Sequence, residues 1–274
     1  MTDIIEIETF DRPGLEVYAG LTDAALRRAK EDELGIFIAE SPKVIRMALR
    51  HGYTPISLLC ERKHIAGDAA DIVDDLGNRS DPIAIYTGSR ELLMQLTGYK
   101  LTRGVLCAMK RKRLPMLSEI CKCASLVGVL CGITDTTNIG SIFRAASAMG
   151  VDALVLSSDT CDPLNRRAVR VSMGTVFSIP WTLAKDPMAE LSRLGFKTAA
   201  LALRNDNVSL DDPVLKQCDK LAVVFGTEGD GLPQRCIDNA DYVVKIPMHH
   251  GVDSLNVASA AAVTFWELRH FNLV

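Results

Sequence analysis

From Leu126 onward the chain repeats one pattern, a short and nearly continuous apolar run followed by a helical stretch. The runs are residues 126–131, 153–156, 197–202, 221–225 and 242–246; the helical stretches are 139–149, 168–173, 188–194, 233–239 and 254–270. A strand apolar on both faces is covered on both faces, and strands joined through helices pair in parallel. The expected fold class is therefore α/β, with a mostly parallel sheet and helices on both faces. In such sheets ligands sit beyond the carboxyl ends of the strands. Three polar or glycine-rich segments fall there: 136–144, 226–233 and 247–256.

The first part of the chain has the same character on a smaller scale. Strand signals occur at 36–39, 56–60, 83–86 and 105–109, and helical segments at 21–30 (Thr22 as N-cap), about 65–76 and 89–96. A further helix opens at Ser41-Pro42, serine capping and proline at the first helical position, with Val44, Ile45, Ala48 and Leu49 at helical spacing. The series ends in Lys110-Arg111-Lys112-Arg113 before Leu114-Pro115. We therefore expect two domains, a small α/β domain over 1–115 and a larger one over 116–274. The basic run has two readings: a solvated linker, or, with Arg62, Lys63 and Arg103, an anchoring patch for phosphates.

Composition excludes several classes. Net charge is −3 over 274 residues, so a nucleic-acid partner would have to be held by a local patch. There are eight cysteines but no C-x-x-C pair, and Cys121 and Cys123 are too close together for the usual zinc spacing. No metal site is expected, and the thiols read as reduced, in a cytoplasmic protein. The start, MTDIIEIETFDRPG, lacks the basic end and apolar core of a signal peptide, and no apolar run approaches bilayer length. No membrane association is expected.

The three strand-end segments carry the candidate chemistry. The last follows a short strand, turns through His249-His250-Gly251 and enters a helix at Ser254. Ser254 and Asn256 flank Leu255 where the first N–H groups of a helix lack intrahelical partners. The helix beyond is apolar almost all round, as expected of one buried against its own domain or another subunit. The middle segment, FGTEGDGLP, has neither the spacing of a dinucleotide fingerprint nor a Walker G-K-[ST]; alone it is a glycine-punctuated turn carrying Glu228. In the first, TTNIGSIFRAASAMGV, Asn138 stands at a helix start with Arg144 six residues on. Singly, these read as a helix cap and a salt-bridge partner.

Taken together, N-x-G-x-x-x-R-x-A at 138–146, F-G-x-E-G-x-G-L at 225–232, and I-P-M with S-L-N-V within 246–257 resemble the three ordered motifs of the SpoU (TrmH-like) RNA methyltransferases of the SPOUT superfamily. RVSMG at 170–174 is also similar, and the first domain resembles in layout the small RNA-binding domain of many members. The resemblance implies S-adenosylmethionine bound in a C-terminal trefoil knot, a homodimer, and methylation of a ribose 2′-hydroxyl in ribosomal or transfer RNA. It implies donor contacts at Leu203, Gly226, Gly231, Ile246, Leu255 and Asn256, and a reaction centre of Arg144, Asn138, Glu228, Ser254 and Asn256. The RNA would lie along Lys110, Arg111, Lys112, Arg113 and Arg103. Two departures stand out: His250 occupies a position commonly glycine, and Thr136 one frequently proline. As rim residues, His249 and His250 need no catalytic role. Alternatives are an RNA-binding protein of this fold without activity, or a base-methylating relative.

Overall fold

The computed structural model describes residues 4–9, 11–20, 35–81, 83–101, 103–204, 207–229 and 231–269. The expected helix at 21–30 with its Thr22 cap lies outside them. The chain divides into two compact units, Met1–Lys112 with Leu164–Gly174, and Arg113–Pro163 with Thr175–Val274.

The first unit holds β1 (Ile4–Glu6), β2 (Ile36–Glu40), β3 (Pro55–Glu61), β4 (Ala84–Gly88) and β5 (Val105–Lys110) in one sheet of order β1-β4-β3-β5-β2. Pairing is parallel across β1, β4 and β3, and antiparallel where β5 meets β3 and β2. Helices α1 (Pro42–Arg50), α2 (Ala70–Gly77) and α3 (Arg90–Thr97) start where the sequence offers caps in two of three cases. Ser41 accepts from Val44 N, and Ser89 from Leu92 N. The third differs: instead of one helix over 65–76, a tight turn at Arg62–His64 precedes α2.

The second unit holds α4 (Leu117–Ile120), β6 (Leu126–Leu130), α5 (Thr136–Met149), β7 (Ala153–Ser157), β8 (Trp181–Ala184), α7 (Pro187–Arg193), β9 (Lys197–Leu201), β10 (Val208–Ser209), α8 (Pro213–Lys216), β11 (Leu221–Phe225), α9 (Gln234–Asp238), β12 (Tyr242–Lys245) and α10 (Val257–Leu268). Helix α6 (Arg166–Val171) lies in the excursion that belongs to the first unit. The seven-stranded sheet has the order β10-β12-β9-β11-β6-β7-β8, with every pairing parallel.

Alternation along the central strands divides the core. Val127, Val129, Ala153, Val155, Ala222 and Val224 face a cluster with Met188 and Leu191 of α7 and, at its edge, Ile237 of α9. The opposite face takes α5 and α10: Phe265 stacks edge-on against Phe225, ring centroids 5.3 Å apart. Gly128 makes room for it, since a Cβ there would lie 2.7 Å from Leu154 and 3.0 Å from Phe265.

The edge strands β8 and β10, and β1 in the first unit, carry no strong apolar run. Two starts also differ from expectation. Helix α5 begins at Thr136 under an Asp135 cap, which accepts from Thr137 N at 2.6 Å, so Asn138 is not the cap. Helix α10 begins at Val257, not Ser254, because Asn256 is its cap.

Strands β9 and β12 are tied through Asp241, which accepts from Thr198 N (2.9 Å), Thr198 Oγ1 (3.0 Å) and Lys197 Nζ (2.7 Å). Burial alone would raise its pKa; the Lys197 ammonium and the Thr198 hydrogen bonds outweigh it and hold the carboxyl below its ordinary value. A pKa depressed in the folded state contributes stability above the unfolded value, about 4, and that stability is lost as pH falls through the folded pKa. Asp241→Asn is therefore expected to lower Tm at neutral pH, with the gap from wild type closing below about pH 4. Melting curves across pH check this; a gap that persisted in acid would contradict it.

Candidate active site

Beyond the carboxyl ends of β9, β11 and β12 lies a cavity of about 630 Å³, in the size range of small-ligand sites. Its apolar floor includes Leu201, Phe225, Leu232, Val244, Val257 and Ala260. Glu228 and Asp253 add carboxylates to a lining that also contains Thr227 and Ser254.

Of the residues expected to contact a donor, Leu203, Gly226, Gly231, Ile246, Leu255 and Asn256 all line this cavity. Of the expected reaction centre, Glu228, Ser254 and Asn256 line it, whereas Asn138 and Arg144 do not. Asn138 is joined to it by hydrogen bonding. Asn256 Nδ2 donates to Asn138 Oδ1 at 3.0 Å and also to Glu228 Oε1. Asn256 Oδ1 accepts from Ala258 N (3.0 Å) and Ser259 N (3.3 Å). One side chain thus caps α10 and connects three loops far apart in sequence. Asn138 can take part because Asp135 satisfies the start of α5, leaving an amide only 6% exposed that needs a partner.

Arg144 is placed differently. It is exposed on α5, six residues beyond Asn138 and therefore about 240° further round the helix at 3.6 residues per turn. No hydrogen bond or ion pair reaches it among the described residues.

The glycine loop is built by close backbone approach. Thr227 N donates to Gly231 O at 3.1 Å, and a Cβ on Gly226 would lie 2.4–2.5 Å from the Gly231 carbonyl and Leu232 N. Only glycine fits that position. In the last loop His250 takes φ +59° and Gly251 φ +70°, so a histidine adopts the left-handed backbone where the motif it resembles commonly has glycine. Both histidines are exposed, and neither lines the cavity. Thr227, Met248 and Asp253 were not singled out in the sequence, although the first two lie inside the quoted motifs.

Asn256 has two separable tasks. Loss of an Asn cap costs about 1 kcal/mol. Asn256→Asp keeps the capping oxygen but removes the donor and sets a second carboxylate beside Glu228. We expect Asn256→Ala to lower stability and Asn256→Asp to melt closer to wild type, with both losing the activity that the motifs imply. Thermal melts beside activity assays check this, and an active Asn256→Asp would contradict the bridging role.

Two cations of the basic run are tied down within their own unit, Arg111 half-buried and Lys112 exposed. Arg111 Nε donates to Ile36 O at 2.8 Å, and Lys112 Nζ donates to His51 O at 2.5 Å while lying 4.7 Å over the Tyr53 ring. Arg62 pairs with Glu6, and Lys63 with Glu61 at 2.8 Å. Lys110, Arg113 and Arg103 remain exposed. Among the described residues there is no metal-holding cluster of His, Cys, Asp or Glu, and no helix long and apolar enough to cross a membrane.

Comparison with known proteins agrees with the motifs. Residues 125–266 match the model of the SpoU rRNA Methylase family. An uncharacterized tRNA/rRNA methyltransferase of Mycobacterium tuberculosis is 34% identical over 269 residues, 97% of this chain and 91% of that protein. The 23S rRNA (guanosine(2553)-2′-O)-methyltransferase of Bacillus subtilis is 33% identical over 139 residues, 50% of this chain and 55% of that protein. The AdoMet-bound rRNA methyltransferase from Sinorhizobium meliloti superposes with a TM-score of 0.80 at 24% identity, covering 97% of each chain. The α/β architecture with its parallel sheet is thus that of solved methyltransferases, and the chain belongs to the SpoU rRNA methylase family.

Proposed function

We propose that this chain is an S-adenosylmethionine-dependent RNA methyltransferase, acting on a ribose 2′-hydroxyl of ribosomal or transfer RNA as a cytoplasmic homodimer. The observation that carries the reading is the Asn138–Asn256–Glu228 junction at the edge of one cavity. The likeness to the 2′-O-methyltransferase of Bacillus subtilis favours ribose over base.

The cavity residues fit the donor. An apolar floor suits a flat heterocycle, and the Glu228 and Asp253 carboxylates suit a molecule bearing positive charge. Gly226, Ile246 and Leu255 line the same space, and their main chain would hold the donor. When bound, S-adenosylmethionine supplies a methyl group activated on a sulfonium.

The protein's own part is alignment and charge. An in-line displacement depends on holding the attacking oxygen in register, a large share of the rate. Asn256 fixes Asn138 and Glu228 relative to the start of α10, so the floor and one wall of the site are set before RNA arrives. Arg144 acts as a planar, charged donor and not as a base. It orients the neighbouring RNA phosphate and stabilises negative charge on the attacking oxygen, whose proton passes to a phosphate oxygen or water.

Because Arg144 does not line its own chain's cavity, the dimer and the catalytic reading are linked. Helix α10 leaves Val263 (42%) and Trp266 (55%) exposed beside α5, an apolar surface suited to a second copy. The trefoil knot is proposed for the same region. The segment after β12 returns from the β10 side of the sheet to place α10 over Gly128 and Phe225 at its centre.

Titration calorimetry with S-adenosylmethionine separates an enzyme from an inactive RNA-binding relative. Saturable binding that is lost on filling the cavity supports the reading, and no binding contradicts it.

A further inference from the structure

Apart from the basic run and the exposed Arg62–Glu6 and Lys63–Glu61 pairs, the first unit carries a second group of cations on the excursion that holds α6. Glu40 ends β2 and is 1% exposed. Its Oε2 accepts from Arg166 at 2.9 Å, while Arg170 stands 3.7 Å from Oε1, which has no hydrogen-bond partner. Arg166 is 15% exposed and lies 4.0 Å over the Tyr99 ring, so its guanidinium is held from two sides. Arg170 is held only loosely, and its side chain is 45% exposed. Arg167 on the same helix, Lys43 in the first turn of α1 and Lys100 next to Tyr99 are all exposed. A single buried carboxylate therefore anchors a helix whose outer cations exceed what it neutralises.

We propose that Arg170 and Arg167 form a phosphate-binding site for the RNA backbone, and that Glu40 is its positioning residue, acting through Arg166. This rests on the RNA-methyltransferase reading above but concerns a different surface from the basic run. A buried ion pair is weak evidence for stability and better suited to fixing geometry, because breaking it leaves a charge uncompensated. Here it fixes the helix that presents the arginines. When RNA arrives, Arg170 exchanges a long ion pair for a charge-assisted contact to phosphate, and Arg166 keeps Glu40 satisfied.

The sign of one substitution tests this. Glu40→Gln removes a negative charge from a basic surface, so electrostatics alone would tighten RNA binding. Positioning predicts the opposite. The probe is a fluorescein-labelled, mixed-sequence single-stranded RNA titrated by anisotropy against the full chain over a range of KCl. Arg170→Gln, an exposed change, is expected to weaken binding regardless of sequence and to reduce the slope of log K against log salt by about 0.7. Glu40→Gln is expected to weaken binding as well, with S-adenosylmethionine affinity by calorimetry unchanged in both variants. An unaltered salt slope in Arg170→Gln, or tighter RNA binding by Glu40→Gln, overturns the site. Loss of donor affinity together with RNA affinity in Glu40→Gln overturns its positioning role and leaves Arg170→Gln to decide the contact. Failure of the wild-type protein to bind the RNA at all would instead count against the RNA-methyltransferase reading.

Discussion

Replacing Arg144 by alanine is expected to abolish methyl transfer while the fold and donor binding survive. The side chain is exposed and makes no hydrogen bond or ion pair among the described residues, so its removal takes little from stability. It also lies outside the lining of the cavity, so donor affinity measured by calorimetry stays near wild type. On the proposed reading, what is lost is a permanent positive charge beside the attacking oxygen. Removing one preorganised stabiliser of this kind costs roughly 10²–10³ in rate. Arg144→Lys is expected to recover only part of it, since an ammonium lacks the planar fork that grips a phosphate. Near-normal turnover in Arg144→Ala would show that the chemistry is arranged around some other group.

The second large effect is expected from a single methyl group. In Gly226→Ala the new Cβ meets Gly231 C and O and Leu232 N at 2.4–2.5 Å, all of them main-chain atoms. Relief requires opening the Thr227 N to Gly231 O hydrogen bond and with it the loop that carries Glu228. Overpacking of this kind costs about 1–3 kcal/mol. Donor binding should be lost, because Gly226, Gly231 and Glu228 all line the cavity. Gly251→Ala, outside the cavity lining, is the control. It meets nothing within 4 Å, although its φ of +70° leaves backbone strain on the order of 1 kcal/mol. Its donor affinity should stay much closer to wild type. Equal affinity in Gly226→Ala and wild type would rule out this loop as part of the donor site.

Much of this arrangement is legible in the sequence, and the reasons for the exceptions are physical. Central strands such as Leu126–Leu130 and Leu221–Phe225 are buried on both faces, and continuous apolar runs follow from that. The strands without such runs lie at or near sheet edges: β8, where Leu183 is 50% exposed, and β10, only two residues long. Local capping misled at both site helices. Asp135, Asn138, Ser254 and Asn256 are all competent caps, and only tertiary contacts decide that Asp135 and Asn256 serve while Asn138 bridges. The tethering of Arg111 and Lys112 has the same origin: their acceptors, Ile36 O and His51 O, are more than fifty residues away. So does the placement of Leu164–Gly174 with the first unit, which depends on Glu40 finding Arg166 across 126 positions.

The most direct test of the central claim is the chemical form of the product. Purified protein is incubated with S-adenosylmethionine labelled in its methyl group and with ribosomal and transfer RNA from cells lacking the gene. The RNA is then hydrolysed in alkali, which cannot cleave next to a methylated 2′-oxygen. Label recovered in alkali-resistant dinucleotides, and absent with Arg144→Ala, is the predicted result. Label recovered in mononucleotides, or no label in RNA at all, would contradict ribose 2′-O-methylation by this protein.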